Sequence, residues 1–407
     1  MTSDQHFVIV GGGLAAAKLA EALRANDFAG TVTLISAEEY LPYERPPLSK
    51  EHLTGKKSLE EFTVDPSQWY RDHHIDLLLG TEVGAIDTGA KTVTLPDGST
   101  LGYDKLALAT GSTPRRLPIP GMDAREVYTL RTIDDSDSLI DLFGSAQRLV
   151  IIGAGWIGLE VASAARGAGV EVTIVESAEL PLLAALGPEM GRVFADLHRD
   201  HGVDLRFGAQ VEAITTRDGE PDVAAGVRLT DGTVIEGDAV LVAIGARPNI
   251  ELAANAGLAT DGGVLVDASL ATSDPNIVAV GDIADAQHPV LGRRIRVEHW
   301  ANALNQPAVA AQTMLGKSAF YDRLPYFFTD QYDLGMEYTG YAAIGEYARV
   351  VVRGDLAKRE FVAFWLDADN RVLAGMNVNI WDVTDRIKEL IGQQVDPERL
   401  ADTSAPL

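Results

Sequence analysis

The sequence predicts an α/β protein in which one strand–turn–helix unit occurs twice, followed by a smaller α+β domain. The first copy, "FVIVGGGLAAAKLAEALR", begins at Phe7, and the second, "LVIIGAGWIGLEVASAARGAG", begins at Leu149. Each copy joins an apolar strand to an Ala-rich helix through a glycine turn. A further pair of similar segments follows in the same order, ending at Gly111 and at Gly245. Two matches in one order indicate two Rossmann-like nucleotide-binding domains.

The composition sets broad limits on function. The 407 residues suffice for two or three domains, and 46% apolar with 23% charged residues is ordinary for a globular protein. Neither a signal-peptide pattern nor an apolar run of about 18 residues occurs, so we expect a cytoplasmic protein without a membrane partner. The net charge of −25 disfavours nucleic acid as a partner.

The absence of cysteine restricts the chemistry further. Disulfides, thiolate metal sites and cysteine nucleophiles are excluded, so redox chemistry requires a bound cofactor. No metal site is expected. Five histidines lack metal-binding spacing and are predicted to be structural, namely His73, His74, His198, His201 and His288.

The second glycine turn has the stronger dinucleotide-binding pattern. Gly153, Gly155 and Gly158 follow an apolar strand and open a helix, and Glu176 ends the next strand about 20 residues on. Gly153 allows the tight turn, and Gly155 lets the backbone approach a pyrophosphate at the helix N-terminus. Glu176 would accept hydrogen bonds from a ribose and repel a 2′-phosphate, which predicts NADH over NADPH. The alternative is a strand–helix turn without a ligand.

The first glycine turn departs from this pattern. It reads Gly-Gly-Gly-Leu-Ala-Ala from Gly11, with alanine at the third fingerprint position, a replacement that the pattern tolerates. The next strand, "TVTLIS", ends in Ser36 where an acid is expected. Glu38 and Glu39 lie just beyond it. Either acid would reach a ribose, or both are solvated loop charges.

A proline-rich loop, "LPYERPPLSK", spans Leu41–Lys50. Three prolines in ten residues predict neither helix nor central strand. Taken alone, the segment is equally well explained as a rigid surface turn.

The C-terminal part has a different character from about Tyr321. Its apolar and polar residues alternate, which predicts antiparallel strands with turns at Asp369–Asn370 and near Gly354. The segment "DVTDRIKELIGQQ" predicts a helix with Asp382 or Thr384 near its N-cap.

These motifs together resemble one family. The chain is similar to the FAD-dependent, NADH-linked ferredoxin reductases that serve oxygenases and cytochromes P450, which have a glutathione-reductase-like fold. The resemblance covers essentially the whole chain and rests on "VIVGGGLAAAKLAEALR", "RPPLSK", "LALATGSTPR", "VIIGAGWIGLEVA", "SDPNIVAVGDIA", "RVEHWANALNQ" and "PYFFTDQYD". It implies an FAD-binding domain over 1–115 and 246–320, an NAD-binding domain over 116–245 and a C-terminal α+β domain over 321–407.

The resemblance assigns roles around a flavin ring. In the family, the loop matching "ERPPLSK" runs beside the ring, so Arg45 and Pro47 are expected to line FAD and Lys50 to approach the flavin N5. A cation there stabilises the negative charge that develops as hydride arrives. Asp282 is expected to bind the ribityl chain, and the alternative is a helix N-cap.

Further residues are assigned in the same way. A helix beginning near Glu298 and Trp300 is expected to point at the flavin N1–C2=O edge, and the alternative for Trp300 is core packing. Glu160 is expected to contact the nicotinamide, and otherwise is a solvated helix residue. Phe328 lies in Pro-Tyr-Phe-Phe where the family has Pro-Trp-Phe-Trp, which weakens its implied place at the flavin face. The other residues assigned to cofactor binding are Gly13, Leu14, Ala15, Ala109, Thr110, Gly111, Arg131, Trp156, Ile157, Gly245, Gly281 and His299.

The implied reaction is electron transfer. NADH would pass a hydride to FAD, and reduced FAD would pass single electrons to a [2Fe–2S] ferredoxin that serves a cytochrome P450 or a ring-hydroxylating oxygenase. A rubredoxin reductase, an NADH oxidase and a flavoprotein like apoptosis-inducing factor remain alternatives. We expect a monomer or homodimer. The basic groups at Arg115–Arg116 and Arg293–Arg296 are either solvated charges or a ferredoxin docking patch.

Overall fold

The computed structural model describes residues 4–407. Contacts within the chain group these residues into two units. The first unit comprises the described residues up to Pro46, Ser58–Thr113 and Arg247–Pro325. The second comprises Pro47–Lys57, Pro114–Ala246 and Tyr326–Leu407. The division into three domains stays a prediction.

The strands are numbered in chain order. They are β1 (His6–Val10), β2 (Thr31–Ile35), β3 (Ile75–Leu78), β4 (Ala85–Asp87), β5 (Thr92–Thr94), β6 (Thr100–Gly102), β7 (Lys105–Leu108), β8 (Ser112–Pro114), β9 (Val127–Tyr128), β10 (Arg148–Ile152), β11 (Glu171–Glu176), β12 (Asp204–Phe207), β13 (Val211–Arg217), β14 (Glu220–Leu229), β15 (Val234–Glu236), β16 (Ala239–Val242), β17 (Ala246–Pro248), β18 (Val264–Val266), β19 (Ile277–Ala279), β20 (Ala284–His288), β21 (Arg293–Arg296), β22 (Tyr326–Gln331), β23 (Leu334–Gly340), β24 (Arg349–Asp355), β25 (Glu360–Leu366) and β26 (Val372–Val378).

The helices are numbered in the same way. They are α1 (Leu14–Ala25), α2 (Leu59–Phe62), α3 (Ser67–Asp72), α4 (Ile133–Phe143), α5 (Trp156–Gly167), α6 (Leu183–Asp200), α7 (Glu251–Asn255), α8 (Trp300–Met314), α9 (Thr384–Leu390) and α10 (Pro397–Ala401), with 3₁₀ turns at Pro46–Ser49 and Gly281–Ile283. Within residues 4–407, no helix combines the length and apolarity that a membrane span needs.

The first unit is built around a parallel sheet with the strand order β19–β7–β1–β2–β3. Its inner strands are almost continuously apolar and buried, as expected for parallel strands covered on both faces. Helix α1 follows β1 directly and packs against α8. Two smaller three-stranded sheets, β4–β5–β6 and β18–β20–β21, complete the unit.

The second unit contains a parallel sheet of the same design, in the order β12–β11–β10–β16–β9. The central strand β10 is followed by α5, as β1 is followed by α1. The internal repeat in the sequence therefore corresponds to two parallel sheets, each with a glycine turn after its central strand.

The second unit also contains the C-terminal antiparallel sheet, in the order β22–β23–β26–β25–β24. Helix α9 packs on β23 and β26, and α10 packs on β24. Val362, Phe364 and Ile387 belong to the core beneath these helices. Strands β23, β25 and β26 are buried along almost their whole length, so both faces of the sheet are covered there.

One local prediction was wrong, and another was confirmed. The proline-rich loop was expected to hold no helix, yet Pro46–Ser49 form a 3₁₀ turn. The fixed φ of proline suits such a turn, and its first positions need no N–H donor. The turn expected near Gly354 is present: residues 356–359 connect β24 to β25, and Gly354 pairs with Phe361 just before this turn. A Cβ at Gly354 would lie 2.5 Å from the Glu360 carbonyl oxygen, so close backbone approach explains the glycine at this position.

Candidate functional site

The glycine turn of the second unit leaves an open space before α5. Gly153 has a φ of +104°, and a Cβ there would lie 2.4 Å from the Ala243 carbonyl oxygen. A Cβ at Gly158 would lie 2.2 Å from the Gly153 carbonyl oxygen, whereas a Cβ at Gly155 would meet nothing within 4 Å. The N-cap Gly155 supplies no side-chain acceptor to the first N–H groups of the helix. This arrangement fits a diphosphate at the helix N-terminus.

Glu176 lies at the end of β11, beside this turn. One carboxylate oxygen accepts a 2.7 Å hydrogen bond from the Ala154 N–H, and the other accepts a 2.8 Å bond from the Ala178 N–H. The carboxylate therefore also holds the backbone of the turn. Its role as a ribose acceptor stays a prediction.

The glycine turn of the first unit has the same form. Gly11 has a φ of +133°, and a Cβ there would lie 2.1 Å from the Ala109 carbonyl oxygen. A Cβ at Gly12 would lie 2.0 Å from the Ser36 hydroxyl oxygen, while a Cβ at Gly13 would meet nothing within 4 Å. The open position again stands at a helix N-terminus, where the N-cap Gly13 supplies no side-chain acceptor. The turn therefore fits the diphosphate of a second dinucleotide.

The two acids after β2 have different surroundings. Glu38 accepts a 2.6 Å hydrogen bond from the Arg45 guanidinium and a 2.5 Å bond from the Tyr43 hydroxyl. Glu39 lies beside Gly80, where a Cβ would approach its side chain to 3.3 Å. The paired Glu38 and Arg45 give the first unit a fixed polar group close to the predicted cofactor loop. Which acid binds a ribose stays a prediction.

Near Asp282, residues from three segments of the first unit form hydrogen bonds with one another. The Ser112 hydroxyl donates a 3.0 Å hydrogen bond to Asp282, and the Gly281 N–H donates a 2.7 Å bond to the Gln306 side chain. Asp282 lies in the 3₁₀ turn Gly281–Ile283, so it caps no α-helix.

The start of α8 is tied to the proline-rich loop within the first unit. The helix begins at Trp300, and the Trp300 indole N–H donates a 2.8 Å hydrogen bond to Glu44. Burial lowers the pKa of the N-cap residue His299 to about 4, and the charge of Asp282 opposes this shift. Glu298 forms an ion pair with Arg296.

The second unit brings Lys50, Glu160 and Phe328 together from three segments. The Lys50 Nζ lies 2.8 Å from a Glu160 carboxylate oxygen, with side-chain exposures of 9% and 4%. The ammonium group lies 5.4 Å from the centre of the Phe328 ring. Ser49 donates a 2.5 Å hydrogen bond and Thr329 a 2.6 Å bond to Glu160. Glu160 is thus a buried carboxylate with three donors, and not the solvated helix residue of the alternative.

The remaining predicted residues border these features. In the first unit Leu14 and Ala15 open α1, and the Thr110 hydroxyl donates to the Asn249 carbonyl. In the second unit Trp156 lies against Phe327, and the Arg131 N–H donates to Asp135. The other residues, whose ligand roles also stay predictions, are Pro47 in the 3₁₀ turn, Ala109 and Gly111 after β7, Ile157 in α5 and Gly245 after β16.

Several contacting residues were not predicted from the sequence. All of them lie inside the motifs "ERPPLSK", "LALATGSTPR", "RVEHWANALNQ" and "PYFFTDQYD", but nothing in their local pattern indicates a partner. They are Glu44, Ser49, Ser112, Gln306, Thr329 and Gln331.

Comparison with known proteins identifies the family. The model of the pyridine nucleotide-disulphide oxidoreductases matches residues 5–307, which is more than half of the chain. The chain belongs to this family. A second model, the reductase C-terminal domain, matches residues 326–407 of this oxidoreductase. Because the chain has no cysteine, it lacks the disulphide in the family's description.

Two of the similar proteins are ferredoxin reductases of oxygenase systems. The ferredoxin reductase subunit of the 5,5'-dehydrodivanillate O-demethylase of Sphingobium sp. is 41% identical to this chain. The alignment covers 99% of this chain and 98% of the relative. The ferredoxin–NAD(+) reductase component of the anthranilate 1,2-dioxygenase system of Burkholderia cepacia is 40% identical, and the alignment covers 100% of this chain and 99% of that relative. The resemblance inferred from the motifs is therefore confirmed, and the family implies a flavin and NAD(H) as cofactors.

A solved structure agrees with the sequence relatives. Putidaredoxin reductase in its covalent complex with putidaredoxin superposes with a TM-score of 0.94 at 37% identity, covering 100% of this chain and 97% of its own. This match confirms the predicted fold class.

Proposed function

We propose that this oxidoreductase passes electrons from NADH through FAD to a [2Fe–2S] ferredoxin, which supplies a cytochrome P450 or a ring-hydroxylating oxygenase. The observation that carries the proposal is the buried Lys50–Glu160 pair beside Phe328, on a chain whose relatives are ferredoxin reductases. We place the reaction in the cytoplasm and take the protein as a monomer or homodimer.

FAD fits the first unit, because its glycine turn has room for a diphosphate. Gly13 leaves the space before α1, and Arg45, Asp282 and Trp300 supply polar groups from the loop, the 3₁₀ turn and α8. When bound, FAD converts the two-electron chemistry of a hydride into the single-electron steps that an iron–sulfur cluster accepts.

Lys50 supplies positive charge in this proposal. An ammonium group near the flavin N5 stabilises negative charge as it develops during hydride arrival. Buried charges need partners, and Glu160 together with Phe328 fixes the position of the Lys50 ammonium. No protein acid or base is required for the hydride step, so these residues act by position and charge.

The arginine-rich strand β21 contributes little to docking in this proposal. Arg294 donates to the carbonyl groups of Val266 and Asp285, and Arg296 donates to the Asp282 carbonyl and to Glu298. These guanidinium groups hold the first unit together, which favours a structural role for the patch.

The proposal is tested by NADH-dependent reduction of cytochrome c, with and without a panel of [2Fe–2S] ferredoxins. We expect slow basal reduction and strong stimulation by at least one ferredoxin. Rapid flavin reduction without stimulation would contradict the proposal. Stimulation by rubredoxin would then indicate a rubredoxin reductase, and rapid carrier-free NADH consumption would indicate an oxidase. Slow flavin reduction with a change of oligomeric state on adding NADH would indicate an apoptosis-inducing-factor-like protein.

A further inference from the structure

A buried chain of hydrogen bonds leads away from Glu160 within the second unit. The Thr329 hydroxyl lies 2.6 Å from Glu160, and the Gln331 amide nitrogen lies 3.1 Å from the Thr329 hydroxyl oxygen. The Gln331 amide oxygen lies 2.9 Å from Nε2 of His198. Nδ1 of His198 lies 3.3 Å from the Tyr332 hydroxyl. We call Thr329, Gln331 and His198 the Glu160 network.

The Glu160 network is almost fully removed from solvent. Thr329 and Gln331 are each 1% exposed, and His198 is 0% exposed. The three residues come from two elements, since Thr329 and Gln331 lie on β22 and His198 lies on α6. A polar chain at such depth contributes to stability only when every member is satisfied.

The hydrogen atoms of the network have one consistent arrangement. A carboxylate only accepts hydrogen bonds, so the single hydroxyl hydrogen of Thr329 points to Glu160. The Thr329 oxygen must then accept from the Gln331 amide nitrogen, and the Gln331 oxygen faces His198. His198 therefore carries a hydrogen on Nε2, and its Nδ1 accepts from the Tyr332 hydroxyl. Burial lowers the pKa of His198 to about 4, consistent with a neutral ring.

Every bond in this arrangement donates toward Glu160. Aligned hydrogen bonds polarise one another, so the network strengthens the final Thr329 bond to the carboxylate. Glu160 in turn holds the Lys50 ammonium at 2.8 Å, while Ser49 fixes its second oxygen. A carboxylate held from both sides leaves the Lys50 ammonium little freedom of position.

We propose that Thr329, Gln331 and His198 are positioning residues, which orient the Glu160 carboxylate and through it the Lys50 ammonium for hydride transfer to the flavin. The proposal rests on the proposed function, because it requires Lys50 to act beside the flavin. It assigns the network a role that is transmitted through Glu160 and is absent once the Glu160 charge is removed.

The central experiment compares two substitutions of one residue. Thr329→Val keeps the shape of the side chain but removes the donor, and Thr329→Ser keeps the donor. We measure the midpoint potential of the bound flavin and its rate of reduction by NADH in single turnovers. Thr329→Val should slow reduction about tenfold, the factor equivalent to ~1.4 kcal/mol, and lower the potential in the same direction as Lys50→Met. Thr329→Ser should restore most of both values.

A double variant separates positioning from general structural damage. In a Glu160→Gln background, adding Thr329→Val should change the flavin potential by much less than it does in the wild type. An equal change in both backgrounds would overturn the proposal. A further readout needs no cofactor: ¹⁵N NMR of the histidine side chains, assigned with His198→Gln, should show His198 protonated on Nε2. The opposite tautomer would also overturn it.

The Lys50→Met variant distinguishes this inference from the proposed function. A large effect of Lys50→Met with none from Thr329→Val would refute the network's role and leave the role of Lys50 intact. No effect of Lys50→Met on potential or rate would refute the roles of both Lys50 and the network, whereas the proposed function fails only if no ferredoxin stimulates the wild type.

Discussion

Glu176 holds both of its carboxylate oxygens on backbone N–H groups, from Ala154 on one side and Ala178 on the other. A single acid thus shapes the turn after β10 and places negative charge beside the predicted ribose site. Glu38 differs, because its carboxylate is bound by Arg45 and Tyr43. Each carboxylate oxygen accepts more than one hydrogen bond, so the donors already bound to Glu176 and Glu38 determine how many acceptor positions remain for a ligand.

Replacing Glu176 tests the coenzyme preference. Glu176→Ala should reduce the NADH/NADPH ratio of kcat/KM about tenfold, a change worth ~1.4 kcal/mol, because a negative charge no longer repels a 2′-phosphate. Glu176→Gln is the matched control, since it removes the charge and keeps an acceptor for the turn. We expect it to shift the ratio similarly with a smaller loss of thermal stability. An unchanged ratio in both variants would refute the ribose assignment.

The strand–turn–helix element uses its glycines for different purposes. Gly158 packs against the backbone of its own turn, where a Cβ would lie 2.2 Å from the Gly153 carbonyl oxygen. Gly155 faces open space and has a φ of −81°, which alanine also adopts. Gly158 is therefore required by the fold, whereas Gly155 is required only by a ligand that approaches the helix N-terminus.

These two glycines give a paired test at the level of the element. Gly158→Ala should destabilise the protein by about 1–3 kcal/mol, because the backbone must move to admit the methyl group. Gly155→Ala should leave the thermal unfolding temperature unchanged or slightly raised, yet weaken NADH binding about tenfold, since the methyl group occupies the space predicted for a diphosphate. Calorimetry and NADH titration of both variants check this. Normal NADH affinity in Gly155→Ala would contradict the site.

The stability of the whole molecule depends on buried histidines as well as on its cores. His198 in the second unit and His299 in the first each have a pKa lowered to about 4 by burial. Their unfolded value lies near 6.5, so the unfolded state binds protons that the folded state rejects. This contribution to stability is complete above the unfolded pKa and is lost as the pH falls toward the folded pKa.

Acid unfolding should show this contribution directly. Below pH ~6.5, His198 should cost about 1.4 kcal/mol of stability per pH unit. The fall in the thermal unfolding temperature between pH 7 and pH 5 should therefore be smaller in His198→Gln than in the wild type. His74→Gln replaces an exposed histidine and should retain the wild-type fall. Equal falls in the wild type and His198→Gln would show that burial of His198 does not carry this dependence.

The sequence alone determined the two glycine turns, the parallel strands around them, the antiparallel C-terminal sheet and the family. Each of these depends on neighbouring residues, through the spacing of glycines and the alternation of apolar side chains. The 3₁₀ turn at Pro46–Ser49 and the close approach of Gly354 to the Glu360 carbonyl oxygen required the structure, because the residue types alone do not specify either of them.

Only the tertiary structure decided the partners of the charged residues. Glu160 meets Ser49 and Thr329 across long stretches of chain, and His198, assigned from the sequence to a general structural role, meets Gln331 in the same way. Such contacts leave no local periodicity, since they depend on how distant segments pack and not on the residues beside them. The chemistry-bearing residues were thus visible in the sequence, whereas the buried hydrogen bonds that orient them became visible only after folding.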